Sequence, residues 1–441
     1  MITSFIQTND LEVPISNVLG HLSKLQEIAI AHDGCRTETS GGYNASASYI
    51  EKLLSKYSEN LIINRVPFTM DSYNLDENPT FSTVYPDQSN FIFRTAFFTF
   101  FSKNVSLINK MVSQVKGSGC SQSDFIGFNQ TRNVAFVTGT DGCTVAQKSK
   151  NASTAGAIAI VIILKNGESV PPDGFEMLPI PTLFIRNAIG VHLARISDLS
   201  VSITTSWKIE KMTSFNLVVE TVKGDPNSII IVGAHLDGVS GGPGINDNGS
   251  GSAAVLEIAL ASCRNGLIKR VKNKLKYIWF GLEEEGLLGS IAYVKALNTS
   301  TTESHVAMIN ADMIASPNWV MMIGNASTAL PGAPAGFSVL QKMASDNLVS
   351  IQEPFELTTL IGGSDMLPFT FCNIPSTYFA CGAGSKKTPA QREVFGGLTN
   401  APLDTCYHQS CDTTSNIARK PLEVSVKTMA KLVSALSIDP E

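Results

Sequence analysis

Hydrophobic positions follow two different spacings along the chain. Near the N-terminus, apolar residues at helical spacing predict helices over residues 14–34 and 45–57, and a short strand follows at 61–66. After residue 206, short apolar runs alternate with amphipathic stretches. The predicted strands lie near 215–221, 229–234, 274–281, 305–311, 319–323 and 375–381, and the predicted helices near 251–263, 286–297, 335–348 and 418–436. This alternation predicts an α/β fold in which helices cover both faces of a mostly parallel central sheet.

The middle of the chain has a different sequence pattern. Between residues 93 and 206, short β-rich runs such as NVAFVTG (133–139) alternate with Gly, Asn and Pro turns, and residues 68–92 are rich in turn-forming residues. A chain of 441 residues can hold more than one domain, since domains cluster near ~100–200 residues. We therefore predict a main domain made of residues 1–70 and 207–441, with a small β-rich insert and its linkers at 71–206.

Composition narrows the possible partners and the compartment. Charged residues make up only 16% of the chain and the net charge is −5, which argues against nucleic acid and anionic membranes as partners. No apolar run approaches the ~18 residues of a membrane-spanning helix. The opening residues lack the features of a signal peptide, so either a leader has been removed or the protein stays inside the cell. Eight cysteines and seven Asn-x-Ser/Thr sequons favour a secreted or vacuolar/lysosomal hydrolase. The sequons begin at Asn44, Asn104, Asn129, Asn151, Asn248, Asn298 and Asn325.

The stretch 229–251 carries the first candidate chemistry. Its apolar strand delivers His235 and Asp237 to one face, because side chains alternate along a strand. The imidazole can bind a metal while the carboxylate holds its other ring nitrogen. A glycine-rich loop then leads to Asp247, just before a helix. This loop lacks the Lys-Ser/Thr ending of a P-loop, so phosphate binding is given little weight.

Three further groups of metal-binding side chains follow predicted strands or a cysteine-flanked loop. Glu283, Glu284 and Glu285 follow strand 274–281, where one carboxylate can bind a metal and another can act as general base. Asp312 ends a buried-looking strand, where an uncompensated carboxylate would be costly. His408 lies between Cys406 and Cys411, which are either zinc ligands or, as we prefer, a disulfide that fixes the histidine.

Together, two imidazoles and three carboxylates form a ligand set suited to two zinc ions about 3.5–4 Å apart. The set comprises His235, Asp247, one of the glutamates, Asp312 and His408. In parallel sheets, ligands bind beyond the carboxyl ends of the strands, which is where these residues fall. The remaining histidines His21, His32 and His305 are interpreted as structural, and His192 stands apart from any carboxylate.

Five motifs in order resemble the co-catalytic di-zinc aminopeptidase family, which includes secreted bacterial leucine aminopeptidases and vacuolar aminopeptidase Y. They are GAHLDGVSGGPGINDNGSGSAAVLEIA, FGLEEEGLLGS, NADMIASPN, GGSDMLPF and CYHQSCDTTSNI. Residues 93–206 resemble the protease-associated (PA) domain, through GCSQSDF, the 133–166 segment with its helix Lys148–Ala157, and IPTLFI. The resemblance implies a zinc-exopeptidase fold with an inserted PA domain that acts as a lid or substrate gate, or only as a packing module.

The resemblance also implies a role for each site residue. Asp247 would bridge two zinc ions, with His235 and Asp312 on one and Glu284 and His408 on the other. Glu283 would be the general base, Asp237 would orient His235, and Tyr407 would stabilise the oxyanion. The substrates would be peptides with a free N-terminus, trimmed one residue at a time and with a Leu-like preference. Oligomeric state stays open, with a monomer slightly favoured.

The resemblance implies some finer features and one departure. It suggests the disulfides Cys120–Cys143 and Cys406–Cys411 and a cis peptide after Asp247. Cys372 and Cys381 flank an apolar strand and are a possible third pair, while Cys35 and Cys263 are unassigned. Gly363 stands where relatives often carry arginine, which leaves substrate orientation less defined. The alternatives are a glutaminyl cyclase with one zinc, a carboxypeptidase, for which the motifs offer no basic groups, and a non-catalytic receptor-like relative, which would be expected to lose ligands.

Overall fold

The structure is a computed structural model, and it describes residues 11–129, 131, 133–140, 142–166, 177–330 and 332–438. The chain divides into two compact units. The main unit contains residues up to Met70 and from Met212 onward, and the insert unit spans Asp71–Lys211.

The α-helices are α1 (Ile15–Ile30), α2 (Gly42–Leu54), α3 (Val145–Thr154), α4 (Asn187–Leu193), α5 (Gly251–Arg264), α6 (Leu288–Lys295), α7 (Thr299–Glu303), α8 (Gly336–Ser350), α9 (Met366–Phe371), α10 (Pro389–Phe395) and α11 (Arg419–Ile438). The strands are β1 (Leu61–Tyr85), β2 (Ser89–Phe91), β3 (Phe97–Thr99), β4 (Val105–Gln114), β5 (Val134–Thr138), β6 (Ala159–Ile163), β7 (Thr182–Ile185), β8 (Ser200–Thr221), β9 (Asp225–His235), β10 (Asn273–Phe280), β11 (His305–Ala311), β12 (Met322–Asn325), β13 (Glu356–Thr359) and β14 (Ser376–Ala380).

The main unit is built on a sheet in the order β13-β12-β14-β11-β9-β10-β8. Strand β9 pairs in parallel with β10 and β11, and β11 pairs in parallel with β14. The antiparallel neighbours are β8 on β10 and β12 on β14. The prediction of a mostly parallel sheet with helices is confirmed.

Both faces of this sheet are buried, which explains the continuous apolar run of β9. Ile230 and Val232 pack into a core with α1, α2, α5 and α11, whereas Ile229 and Ile231 pack into a separate core on the other face. A parallel sheet covered on both sides gives uninterrupted apolar strands instead of an alternating pattern.

The insert unit has its own sheet and cores. Strands β4, β5, β6 and β7 pair in parallel, and β3 pairs antiparallel with β7. Val134 and Phe136 of β5 pack on one face, and Ala135 and Val137 pack on the other.

Several element boundaries differ from the prediction. Residues 68–92 were expected to be an irregular boundary, but β1 continues to Tyr85. The helix predicted at Lys148–Ala157 is α3, which lies three residues earlier. The strand predicted at 319–323 is β12, Met322–Asn325. In the main unit, α7, α9, α10 and β13 were not predicted.

The disulfides Cys120–Cys143 and Cys406–Cys411 are formed. The possible pair Cys372–Cys381 is wrong, since both cysteines are free. Strand β14 runs extended between them, and five strand residues span roughly 17 Å, beyond the roughly 4–7 Å between Cα atoms that a disulfide bridges. Cys35 and Cys263 are free and buried. Among the described helices, none is both long and apolar enough for a bilayer crossing.

Candidate metal centre

Three neighbouring strands of the main sheet end at the same edge, and each places acidic or imidazole side chains there. His235 is the last residue of β9, Glu283 follows β10 after a short turn, and Asp312 directly follows β11. Because β10, β9 and β11 are parallel, their carboxyl ends meet at one edge. Asp247 lies on the loop between β9 and α5, and His408 comes from the loop closed by Cys406–Cys411.

The Asp247 carboxylate lies between the two histidines. Its Oδ1 is 3.4 Å from His235 Nε2, and its Oδ2 is 3.1 Å from His408 Nε2. His235 Nε2 is also 3.5 Å from Asp312 Oδ1, and His408 Nε2 is 3.1 Å from Glu284 Oε2. The Asp247 carboxylate therefore directs one oxygen toward the His235–Asp312 pair and its other oxygen toward the His408–Glu284 pair.

Two trios of ligand atoms follow from this arrangement. In one trio, ligand atoms of His235, Asp247 and Asp312 lie within 4.8 Å of one another; Asp247, Glu284 and His408 form the other. A third group, His235, Glu283 and Glu284, overlaps them. The structure thus brings together every residue of the predicted ligand set.

The donor atoms fit a cation. Glu284 Oε1 and Asp312 Oδ1 are buried and have no hydrogen-bond partner among the residues that the structure describes. Buried carboxylate oxygens without donors are costly, and a divalent cation compensates them. Imidazole nitrogen with carboxylate oxygen is the ligand chemistry that zinc accepts.

Burial and neighbouring charges shift the titration of these groups. Burial raises the pKa of Glu284 to about 7, and burial with the nearby Asp312 and Asp365 carboxylates raises the pKa of Glu283 well above its usual range. Burial would also raise the pKa of Asp247, but the close contacts with His235 and His408 outweigh it and lower that pKa to about 2. The adjacent Asp247 carboxylate raises the pKa of His408 to about 10. The raised pKa values of the two glutamates reflect the cost of burying several carboxyl groups together, and the lowered pKa of Asp247 reflects its contacts with both histidines.

The other predicted site residues surround this centre. Glu283 Oε2 is 3.8 Å from His235 Nε2, outside the two trios. His235 Nδ1 lies 3.2 Å from the main-chain oxygen of Asp237 and 3.6 Å from its carboxylate. The Tyr407 ring stacks on the His408 ring with centroids 3.8 Å apart. Glu285 is exposed, and the Cβ direction at exposed Gly363 is open space.

The backbone is held in the left-handed region at three residues of the centre. Leu282 precedes Glu283, Met313 follows Asp312, and His408 is itself a ligand candidate; their φ angles are 55°, 51° and 60°. Such conformations are unfavourable for residues with a Cβ and persist where the surroundings impose them. Their position beside three candidate site residues is typical of a functional site.

The glycine-rich loop serves close packing. A Cβ on Gly241 would lie 2.7 Å from the main-chain oxygen of His408, and one on Gly242 would lie 2.2 Å from that of Gln409. The loop that leads to Asp247 therefore packs directly against the backbone of the loop that carries His408.

Gly242→Ala is expected to destabilise the main unit by about 1–3 kcal/mol, because the added methyl group overlaps main-chain atoms of a disulfide-closed loop. Chemical denaturation measures the loss. The matched control is Gly20→Ala on α1, where a Cβ meets nothing within 4 Å and helix propensity favours alanine by up to about 1 kcal/mol. Equal stability of the two variants would contradict this account of the loop.

Sequence reasoning missed two residues that hold the ligand loops. Asp412 accepts hydrogen bonds from the backbone N–H groups of Asn246 (2.8 Å) and Asp247 (3.0 Å), so it connects the His408 loop to the Asp247 loop. The fully buried Arg36 donates to the main-chain carbonyls of Pro243 and Gly244, shortly before Asp247. Asp412 adjoins the CYHQSC motif and could have been suspected, whereas nothing around Arg36 in the sequence marks it.

Asn248 is fully buried, although it begins a sequon. Its side-chain amide donates to the main-chain oxygen of Ala311 and accepts from Gly251 N–H. The Asp247–Asn248 peptide is cis, as the resemblance implied. In this fold the amide that a glycan would modify is already bonded to protein.

Comparison with known proteins identifies the family. The profile of Peptidase family M28 matches residues 216–433, and that of the PA domain matches residues 105–193. An aminopeptidase of Pseudomonas aeruginosa is 32% identical over 443 aligned residues, covering 96% of this chain and 81% of that protein. The chain belongs to peptidase family M28.

Two further similar proteins are informative. The probable leucine aminopeptidase 2 of Aspergillus fumigatus is 32% identical over 330 residues, covering 73% of this chain and 65% of that protein. The solved structure of a zinc aminopeptidase from Bacillus subtilis superposes with a TM-score of 0.53 and 22% identity, covering 98% of this chain and 97% of that one, which shows a shared fold. The predictions of an aminopeptidase-type hydrolase and of an inserted PA domain are confirmed.

Proposed function

We propose that this M28 member is a two-zinc aminopeptidase that releases single N-terminal residues from peptides. The observation that carries the proposal is the Asp247 carboxylate, whose two oxygens face His235 and His408 separately. A bridging carboxylate between two ligand trios suits two metal ions, whereas a single closed zinc site needs only four ligands. Zinc as the metal is supported by the ligand chemistry, and the Bacillus subtilis protein that shares this fold is a zinc aminopeptidase.

His235 and Asp312 would hold one zinc, Glu284 and His408 the other, and Asp247 both. Zinc supplies Lewis acidity there, which lowers the pKa of a water toward about 7 and polarises a carbonyl. Glu283 accepts a proton from the water while the water oxygen attacks the carbonyl carbon of the first peptide bond. Glu283 then gives that proton to the amine as the C–N bond breaks.

Two neighbouring side chains assist these steps. The Tyr407 hydroxyl donates a hydrogen bond to the oxyanion, in the manner of an oxyanion-hole donor. Asp237 fixes the orientation of the His235 ring, through its main-chain oxygen and its carboxylate. The acidic centre attracts the free α-amine of the substrate, which limits cleavage to the first residue.

The compartment and the side-chain preference are also proposals. The disulfides Cys120–Cys143 and Cys406–Cys411 favour a secreted or vacuolar/lysosomal location. A Leu-like preference is supported by the name of the Aspergillus fumigatus relative. The domain division at residues 70 and 206 stays a prediction; the two compact units meet at Met70 and Lys211 along the chain.

Removal of the metal should abolish activity. We expect two zinc ions per chain by elemental analysis, and hydrolysis of leucyl-p-nitroanilide that a chelator stops and added zinc restores. The dependence follows because the water and the carbonyl are activated through the metal. One zinc per chain with no such hydrolysis would favour a cyclase instead, and no metal at all would leave a scaffold without this chemistry.

A further inference from the structure

Arg36 is a buried cation in an unusual setting. Its side chain is 0% exposed and lies between α1 and α2 along the chain, far from the metal-centre motifs in sequence. Its Nε donates to the Pro243 main-chain oxygen at 2.9 Å, and Nη2 donates to that of Gly244 at 2.6 Å. Nη1 donates to the main-chain oxygen of Leu236. All three hydrogen bonds therefore go to backbone carbonyls.

Those carbonyls belong to the two segments that carry metal-centre residues. Leu236 lies between His235 and Asp237, and Pro243 and Gly244 lie shortly before Asp247. Gly244 has a φ of +61°, and a Cβ there would lie 3.1 Å from Arg36 Nη2 and 2.4 Å from the Asp247 main-chain oxygen. One planar guanidinium thus fixes the distance between the strand end that carries His235 and the loop that carries Asp247.

The charge of Arg36 also acts on the centre. Burial lowers the pKa of the guanidinium, and the carboxylates of Asp237, Asp412 and Asp247 oppose that shift. A buried arginine is stable where several acceptors and carboxylates surround it. Charge alone would weaken the binding of a cation nearby, so charge and geometry have opposite expected effects on metal affinity.

We propose that Arg36 is a positioning residue of the metal centre, whose three-way hydrogen bonding to the carbonyls of Leu236, Pro243 and Gly244 sets the geometry of His235 and Asp247. This inference rests on the proposed function, because it assumes that His235 and Asp247 bind metal. Removal of a residue that orients metal ligands typically lowers metal affinity about 10- to 100-fold.

The test separates geometry from charge with two substitutions. Arg36→Lys keeps the charge but loses the planar fork that reaches three carbonyls, and Arg36→Met loses both. If the fork positions the ligands, both variants bind zinc about 10- to 100-fold more weakly than the wild type. If only charge matters, Arg36→Lys matches the wild type and Arg36→Met binds zinc more tightly; either result would overturn the proposal.

Zinc affinity is measured on the full chain, stripped of metal and titrated with zinc against a chromophoric chelator, after size exclusion has isolated folded protein. Arg65→Met is the matched control, since Arg65 pairs with Glu51 and donates to Asn44 and Ser48, away from the centre. Its affinity should equal that of the wild type. A loss of thermal stability in the Arg36 variants with unchanged zinc affinity would mean a merely structural role and would refute the proposal.

The two Arg36 variants and the wild type together distinguish failure of the Arg36 inference from failure of the proposed function. Should Arg36→Met fail to fold, Arg36→Lys decides the question, because wild-type zinc affinity in that variant contradicts positioning by the fork. If the wild type itself binds no zinc, the proposed function fails. If the wild type binds zinc and the Arg36 variants bind it equally well, only the inference about Arg36 fails.

Discussion

Glu283→Gln is expected to lower kcat by about 10²- to 10⁴-fold while zinc content stays at the wild-type level. The Glu283 carboxylate lies 3.8 Å from His235 Nε2 but outside the two trios of ligand atoms, which are completed by Asp247, Asp312, Glu284 and His408. Glutamine keeps the shape of the side chain and cannot accept a proton from water. Turnover of leucyl-p-nitroanilide and elemental analysis of the same sample measure the two quantities.

The control for Glu283 is its neighbour Glu285, which is exposed at the start of the following turn. Glu285→Gln removes the same charge from the same segment and should retain near-normal kcat. A Glu283→Gln enzyme with near-normal kcat would remove Glu283 from the role of base. Loss of zinc from that variant would instead make Glu283 a ligand, through the third group with His235 and Glu284.

Asp247→Asn is expected to have the second large effect, on metal content. An amide offers one oxygen and places an NH₂ group toward the other histidine, so it cannot face both His235 and His408 as an acceptor. Removal of a residue that only orients a ligand typically lowers metal affinity about 10- to 100-fold, and zinc affinity should fall by more than that here. Hydrolysis should fall with it, and chelator titration with elemental analysis measures the change.

Asp225→Asn provides the comparison on the same strand. Asp225 is exposed at the start of β9 and accepts a hydrogen bond from Asn227 N–H, at the opposite end from His235. The substitution should leave zinc content and activity intact. Two tightly held zinc ions in Asp247→Asn would exclude the bridging role of Asp247.

The candidate centre could be predicted from sequence because its residues stand at strand ends. His235, Glu284 and Asp312 follow apolar strands, so the rule that ligands gather beyond carboxyl ends applied without knowledge of tertiary contacts. The α/β fold was predictable for the same reason, since buried parallel strands are continuous apolar runs. Asp247 and His408 lie on loops; they were included because Asp247 ends the glycine-rich loop and His408 stands between two cysteines, and only their bridging and pairing roles depended on the family resemblance.

Residues that act through backbone atoms escaped prediction. Arg36 recognises carbonyl groups, which every residue carries, so no sequence pattern identifies its partners. The glycine-rich loop was weighed only as a phosphate-binding loop, yet Gly241 and Gly242 permit close contact with the His408 loop. Similarly, the extension of β1 to Tyr85 was missed because its turn-forming residues are accommodated in an extended strand.

The discontinuity of the main unit has a consequence for synthesis on the ribosome. Arg36 is synthesised before the insert unit. Its carbonyl partners at Leu236–Gly244 are synthesised after the insert unit, and His408 is synthesised about 160 residues later still. At translation rates of about 5–20 residues per second, the N-terminal segment waits roughly ten seconds or more for the rest of its unit. On the proposed function, a nascent chain therefore lacks one of its zinc ligands until His408 emerges, and it should not cleave neighbouring polypeptides during that interval.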